Sequence, residues 1–189
     1  TVLTAYMGGL ALGGFLAGRY ADRLRRPTVA LMIYGGLELV VAAYGWVFPA
    51  LLGQLHELHA WIWIGWRPGP HTFALVRFAI VSVVLIVPTT AMGATLPVLS
   101  RFYANREGLG RDAGTLYAVN IFGAVSGTFL AGFVLMPAWG LRATNHTACA
   151  VNLVLGVVAV SVGWWLLRRT PGEGTDARAA EESTAGLRP

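Results

Sequence analysis

Charge is what this sequence has least of. Only 12% of its 189 residues are charged against 56% hydrophobic, and the mean hydropathy is +0.60. So little polar surface cannot cover a water-soluble globule of this size, which excludes a soluble fold and implies an integral membrane protein. Lysine is missing altogether, so the formal net charge of +5 is carried by arginines. They stand at the ends of apolar runs, a placement suited to lipid headgroups; nucleic acid is not an expected partner. Cys149 is the single cysteine and lies inside an apolar run, which excludes a disulfide framework and a thiolate metal cluster. The chain opens TVLTAYMGG, without an initiator methionine or the basic region of a signal peptide, and reads as an excised fragment. A nucleophile with a matching base, a pair of carboxylates and a phosphate-cradling loop are all missing, so no catalytic residue and no metal site is expected.

What is present is a series of long apolar runs. A helix needs about 20 apolar residues to cross a hydrocarbon core of about 30 Å. Five segments meet or approach that length, at residues 2–17, 28–49, 72–97, 113–137 and 144–167. The runs are continuous rather than alternating, so helices and not barrel strands are expected. The fold class is therefore an all-α membrane bundle of about five transmembrane helices, a domain over 1–169, followed by a disordered cytoplasmic tail or linker over 170–189.

The arginines orient the bundle. Arg19, Arg23, Arg25 and Arg26 separate the first two spans, Arg101, Arg106 and Arg111 the third and fourth, and Arg168 and Arg169 follow the fifth. Arg67 and Arg142 are the ones in the two remaining connections. The positive-inside rule then puts the arginine-rich connections and the C-terminus in the cytoplasm and Thr1 outside, which implies a missing upstream helix. The loop at 53–71 is too polar at its start to span, and its Trp61, Trp63 and Trp66 suit an outer interfacial belt.

Several polar residues inside the runs are candidate sites. Glu38 is ten residues into its span, about 15 Å deep, where a carboxylate is costly unless protonated or paired. It reads either as a proton or cation site facing the bundle interior or as a protonated acid that glues helices together. Arg77, near the start of the next span, is expected to snorkel outward rather than reach Glu38. Asn120 and Asn152 can hydrogen-bond between helices. Pro88 and Pro97 interrupt the third span, and the freed carbonyls beside Thr89, Thr90 and Thr95 either line a cavity or mark a kink filled by threonine hydroxyls. The glycine pairs Gly9 and Gly13, Gly14 and Gly18, and Gly123 and Gly127 are spaced to let helix backbones approach closely. His56 and His59 flank Glu57, but three residues apart and with no third ligand they suit an interfacial helix face rather than zinc. The GEGTDA stretch at Gly172 has neither a strand before it nor a βαβ unit after it, so it is not a dinucleotide motif.

Two stretches carry a resemblance. GGLALGGFLAGRYADRLRRP, and then GATLP, an arginine-containing loop with LGR, LYAVN, FGAV, GF, a proline and GLR in that order, resemble the membrane region of bacterial fused transporter-like/spermidine synthase proteins, up to about Arg169. The resemblance implies a bacterial inner-membrane protein whose helices anchor a downstream cytoplasmic aminopropyltransferase-like domain. That domain would use decarboxylated S-adenosylmethionine as co-substrate, and the membrane part would supply a polyamine or other substrate to it. The first stretch also resembles the loop between the second and third helices of major facilitator transporters, with Gly18, Asp22, Arg23 and Arg26 matching and Arg25 where that motif has a second glycine. That resemblance implies the alternative, a secondary transporter. A membrane scaffold without chemistry is the third reading.

Overall fold

A computed structural model describes residues 2–21, 23–24, 26–66, 69–103 and 109–169. The tail at 170–189, Asp22, Arg25, Arg67 and Arg106 lie outside the described residues, as do the side chains of His56, His59, Trp66 and Arg111. Every described element is helical: α1 (Val2–Ala21), α2 (Pro27–Trp66), α3 (Pro70–Tyr103), α4 (Leu109–Phe129), a π-helical stretch (Leu130–Leu135) and α5 (Met136–Arg169).

Two seams of small residues hold the bundle. Along the first, Gly9 lies against Thr89, Gly13 against the Thr90 carbonyl and Ala94, and Gly93 against the Leu10 carbonyl. These partners advance together, so α1 and α3 run parallel. There is no room for a side chain at these glycines, and backbone meets backbone as in small-xxx-small membrane pairs. Along the second seam Gly35 meets Gly156 and Val160, Gly163 meets Met32 and Thr28, and Gly45 meets Cys149. Here one number rises as the other falls, so α2 and α5 are antiparallel. The fit is reciprocal at its centre: a Cβ on Gly35 would stand 2.7 Å from the Gly156 carbonyl oxygen, and a Cβ on Gly156 2.8 Å from that of Gly35. A small buried cluster of Ala17, Ala30 and Val98 joins α1, α2 and α3.

The glycine spacing thus identifies one seam and overstates two others. Gly9 and Gly13 pack as expected, whereas Gly18, Gly123 and Gly127 have open space where a Cβ would be, and Gly14 has only an ordinary contact to the Gly93 carbonyl. Among the described residues α4 presents most of its side chains outward, including Phe122 and Val125.

Span lengths differ from the expectation too. Among the described residues, three stretches are long and apolar enough to cross a membrane, at Pro27–Gly65, Pro70–Tyr103 and Gly114–Arg169. The helix α2 does not stop at Pro49 but runs on to Trp66 through the segment expected to be a polar loop, 40 residues and about 60 Å of rise from its start at Pro27. In the same way α3 passes through Pro88 and Pro97 without a break. The last stretch is two helical segments that meet at Gly140, whose φ 77°, ψ 171° turns the path within the connection expected at 139–143. Only glycine adopts that conformation without steric cost.

Candidate functional site

Why Pro49 and Pro88 leave their helices intact is visible one turn upstream of each. Proline has no N–H, so the carbonyl four residues earlier loses its helical donor. For Pro49 that carbonyl belongs to Gly45, and the side-chain amide of Asn145 on α5 donates to it at 2.8 Å. For Pro88 it belongs to Val84, which accepts the hydroxyl of Tyr44 from α2. Pro137 follows the π-helical stretch, where the Met136 N–H bonds back to the Ala131 carbonyl, five residues earlier, and the ladder has already shifted. The threonine hydroxyls bond back to their own helix: Thr89 donates to the Leu85 carbonyl at 2.6 Å and Thr95 to that of Met92 at 2.7 Å.

Three successive residues of α2 therefore hold two neighbouring helices. Tyr44 reaches α3, the Gly45 carbonyl takes Asn145 of α5, and the Trp46 ring stacks on His146 of α5 with centroids 4.6 Å apart. None of Tyr44, Asn145 or His146 stands out in the sequence, because each partner is a backbone carbonyl or ring far along the chain. Proline minus four residues is the one signal that could have pointed to Gly45 and Val84.

Glu38 lies seven residues closer to the start of α2. It is half-buried, on the same face as Tyr34, Val41 and Ala42, the last two buried at 6% and 5% exposure. That face lies between the side that meets α5 through Gly35 and Leu39 and the side that meets α1 and α3 through Leu37. Tyr34 lies one turn before Glu38 on the same helix face, where side chains four apart are neighbours. Arg77 is exposed near the other end of α3, lining a depression of about 430 Å³ with Val2, Pro70 and Phe73. Since Leu37 and Ala94 share one groove, Arg77 is about 25 Å of helix rise away from the Glu38 level.

The other sequence candidates scatter. Thr89 and Thr90 belong to the α1–α3 seam; Thr89 is buried, and the Thr90 hydroxyl is buried without a hydrogen-bond partner among the described residues. Asn120 points outward on α4, and Asn152 is half-buried on α5. Of the loop residues, Gly18 is open and Arg26 exposed, Arg23 stacks over the Tyr20 ring at 5.2 Å, and Asp22 lies outside the described residues. The described residues hold no group of three or more His, Cys, Asp or Glu side chains placed for a metal ion.

No protein-family model and no solved structure matches the chain. Among curated proteins it is similar to the "Uncharacterized MFS-type transporter YceJ" of Bacillus subtilis (strain 168), at 29% identity over 163 residues. The match covers 86% of this chain and 35% of the relative, so the chain spans about a third of that protein's length. The chain is thus an all-helical, multi-span membrane segment that resembles part of an MFS-type transporter.

Proposed function

We propose that this chain is the membrane-embedded portion of a secondary transporter of the major facilitator type, with Glu38 as its proton- or cation-accepting group. The observation that carries the reading is a carboxylate about 16 Å along α2, on an interior face, beside a tyrosine hydroxyl. Such a group is costly in hydrocarbon when charged and unpaired, which makes it a functional candidate by default. A tyrosine hydroxyl can donate to an ionised carboxylate and accept from a protonated one, so Tyr34 is the neighbour suited to serve both states of Glu38. The similarity to an MFS-type transporter supports the same reading.

The test uses the full-length protein in proteoliposomes with an imposed pH gradient and labelled putrescine as probe. Gradient-driven uptake that falls at least tenfold in Glu38→Gln is the expected result. Uptake equal to wild type would remove Glu38 from the mechanism. The arginine-rich ends of the helices face the cytoplasm in this reading. A cysteine introduced at Gln54, with Cys149 replaced, should react with an impermeant reagent in intact cells, and protection until lysis would reverse the orientation.

A second reading rests on the ordered GATLP, LYAVN and GLR segments: the helices anchor an aminopropyltransferase-like domain and deliver polyamine to it. The chemistry would belong to residues outside this helical part. Purified full-length protein should then transfer an aminopropyl group from decarboxylated S-adenosylmethionine to putrescine, and failure to form spermidine would discard this reading.

A further inference from the structure

At the arginine-bearing end of α1, a groove of about 220 Å³ runs between three helices. Its walls are Leu16, Ala17 and Tyr20 of α1, Ile33 and Leu37 of α2, and Val98 of α3. All of these are apolar apart from the Tyr20 hydroxyl, and the groove belongs to a membrane-embedded bundle, so its natural filling is hydrocarbon. The volume suits a length of acyl chain and not a whole lipid. What distinguishes the groove from any other lipid-facing furrow is its mouth. Tyr20 is 54% exposed there, and the Arg23 guanidinium lies over its ring. A guanidinium held over an aromatic ring by a cation–π contact still carries the planar fork of N–H donors that matches a phosphate. Arg19 and Arg26 are exposed and close in sequence to Arg23, and the stretch from Arg19 to Arg26 contains four arginines and one aspartate.

We infer that this groove is a binding site for an anionic phospholipid: one acyl chain lies between α1, α2 and α3, and the phosphate headgroup is held by Arg23 over Tyr20 with help from Arg26. The charge complementarity selects the occupant. A headgroup of net negative charge gains about fivefold in affinity per nearby arginine, whereas a zwitterionic one gains little. The inference does not depend on transport or on Glu38.

Native mass spectrometry of the full chain in detergent, with dioleoyl-phosphatidylglycerol or dioleoyl-phosphatidylcholine added, tests it. The wild type should retain phosphatidylglycerol in preference to phosphatidylcholine. Arg23→Gln should lower phosphatidylglycerol retention about fivefold, and Arg23→Gln with Arg26→Gln should abolish the preference. Ile33→Trp, at a wall position that is 38% exposed and so tolerant of a larger ring, fills the groove without changing charge and should also lower retention. Inorganic phosphate in millimolar excess should not displace the lipid. Equal retention by Ile33→Trp and wild type would reduce the effect to surface charge and overturn the site. So would equal retention of the two lipids by wild type, or displacement by phosphate. Arg168→Gln, on α5 and away from the groove walls, is the control that should change nothing; a loss as large as that of Arg23→Gln would likewise overturn it.

Discussion

Substituting Asn145 by leucine isolates the price of a proline inside a long membrane helix. In the wild type the Gly45 carbonyl has lost its helical donor to Pro49 and takes the Asn145 amide at 2.8 Å instead. Removing that amide leaves a part-buried carbonyl without a protein donor. An unmade buried hydrogen bond costs about 1–3 kcal/mol, but measured interhelical bonds in membranes average about 0.6 and reach about 1.7. A loss of about 1 kcal/mol is therefore expected for Asn145→Leu, roughly a fivefold change in the folding constant. The decisive comparison is the same substitution in a Pro49→Ala background. Alanine restores the N–H at position 49, the helix satisfies Gly45 by itself, and Asn145 becomes redundant. The double-mutant cycle should give a coupling of about 1 kcal/mol between residues that are 96 positions apart in sequence, where non-interacting sites add within about 0.5. Unfolding in mixed micelles by rising dodecyl sulfate, followed by tryptophan fluorescence, supplies the four stabilities. Asn145→Leu costing the same with proline or alanine at position 49 would refute the argument.

Tyr44→Phe should behave in the same way toward Pro88→Ala, losing about 1 kcal/mol alone and almost nothing in the alanine background, by the same micelle titration. Gly156→Ala should destabilise by about 1–3 kcal/mol because its Cβ would press on the Gly35 carbonyl and Leu39, while Gly123→Ala, with open space around it, should gain about 0.5–1 kcal/mol from helix propensity. Equal responses at the two glycines would contradict the seam. Thr90→Val exchanges a buried, unpartnered hydroxyl for a methyl group and should be neutral or stabilising by about 1 kcal/mol; a loss above that would mean the hydroxyl has a partner.

Periodicity and length made the helices legible, and Gly9 with Gly13 made one of the two seams legible. The second seam was hidden because its glycines do not pair within one helix: Gly35 and Gly156 matter to each other across 121 positions. Gly123 and Gly127 show the converse, since a spacing that permits close approach does not supply a partner. The ends of α2 were misjudged at Pro49 for a related reason. Whether a proline ends a membrane helix depends on whether some other helix can donate to the orphaned carbonyl, and no local pattern records that. Of the candidate site, the depth of Glu38 follows from counting residues, whereas Tyr44, Asn145 and His146 carry no local signal because their partners lie far along the chain.

The pairing of Pro49 with Asn145 also constrains how such a sequence can be reached by single substitutions. An asparagine at position 145 is affordable while position 49 still has its N–H, since its amide can share a carbonyl that is already bonded. A proline at position 49 without that asparagine strands a carbonyl at the full cost. The asparagine is the permissive step and the proline the dependent one, so the order that acquires Asn145 first avoids a loss of about 1 kcal/mol.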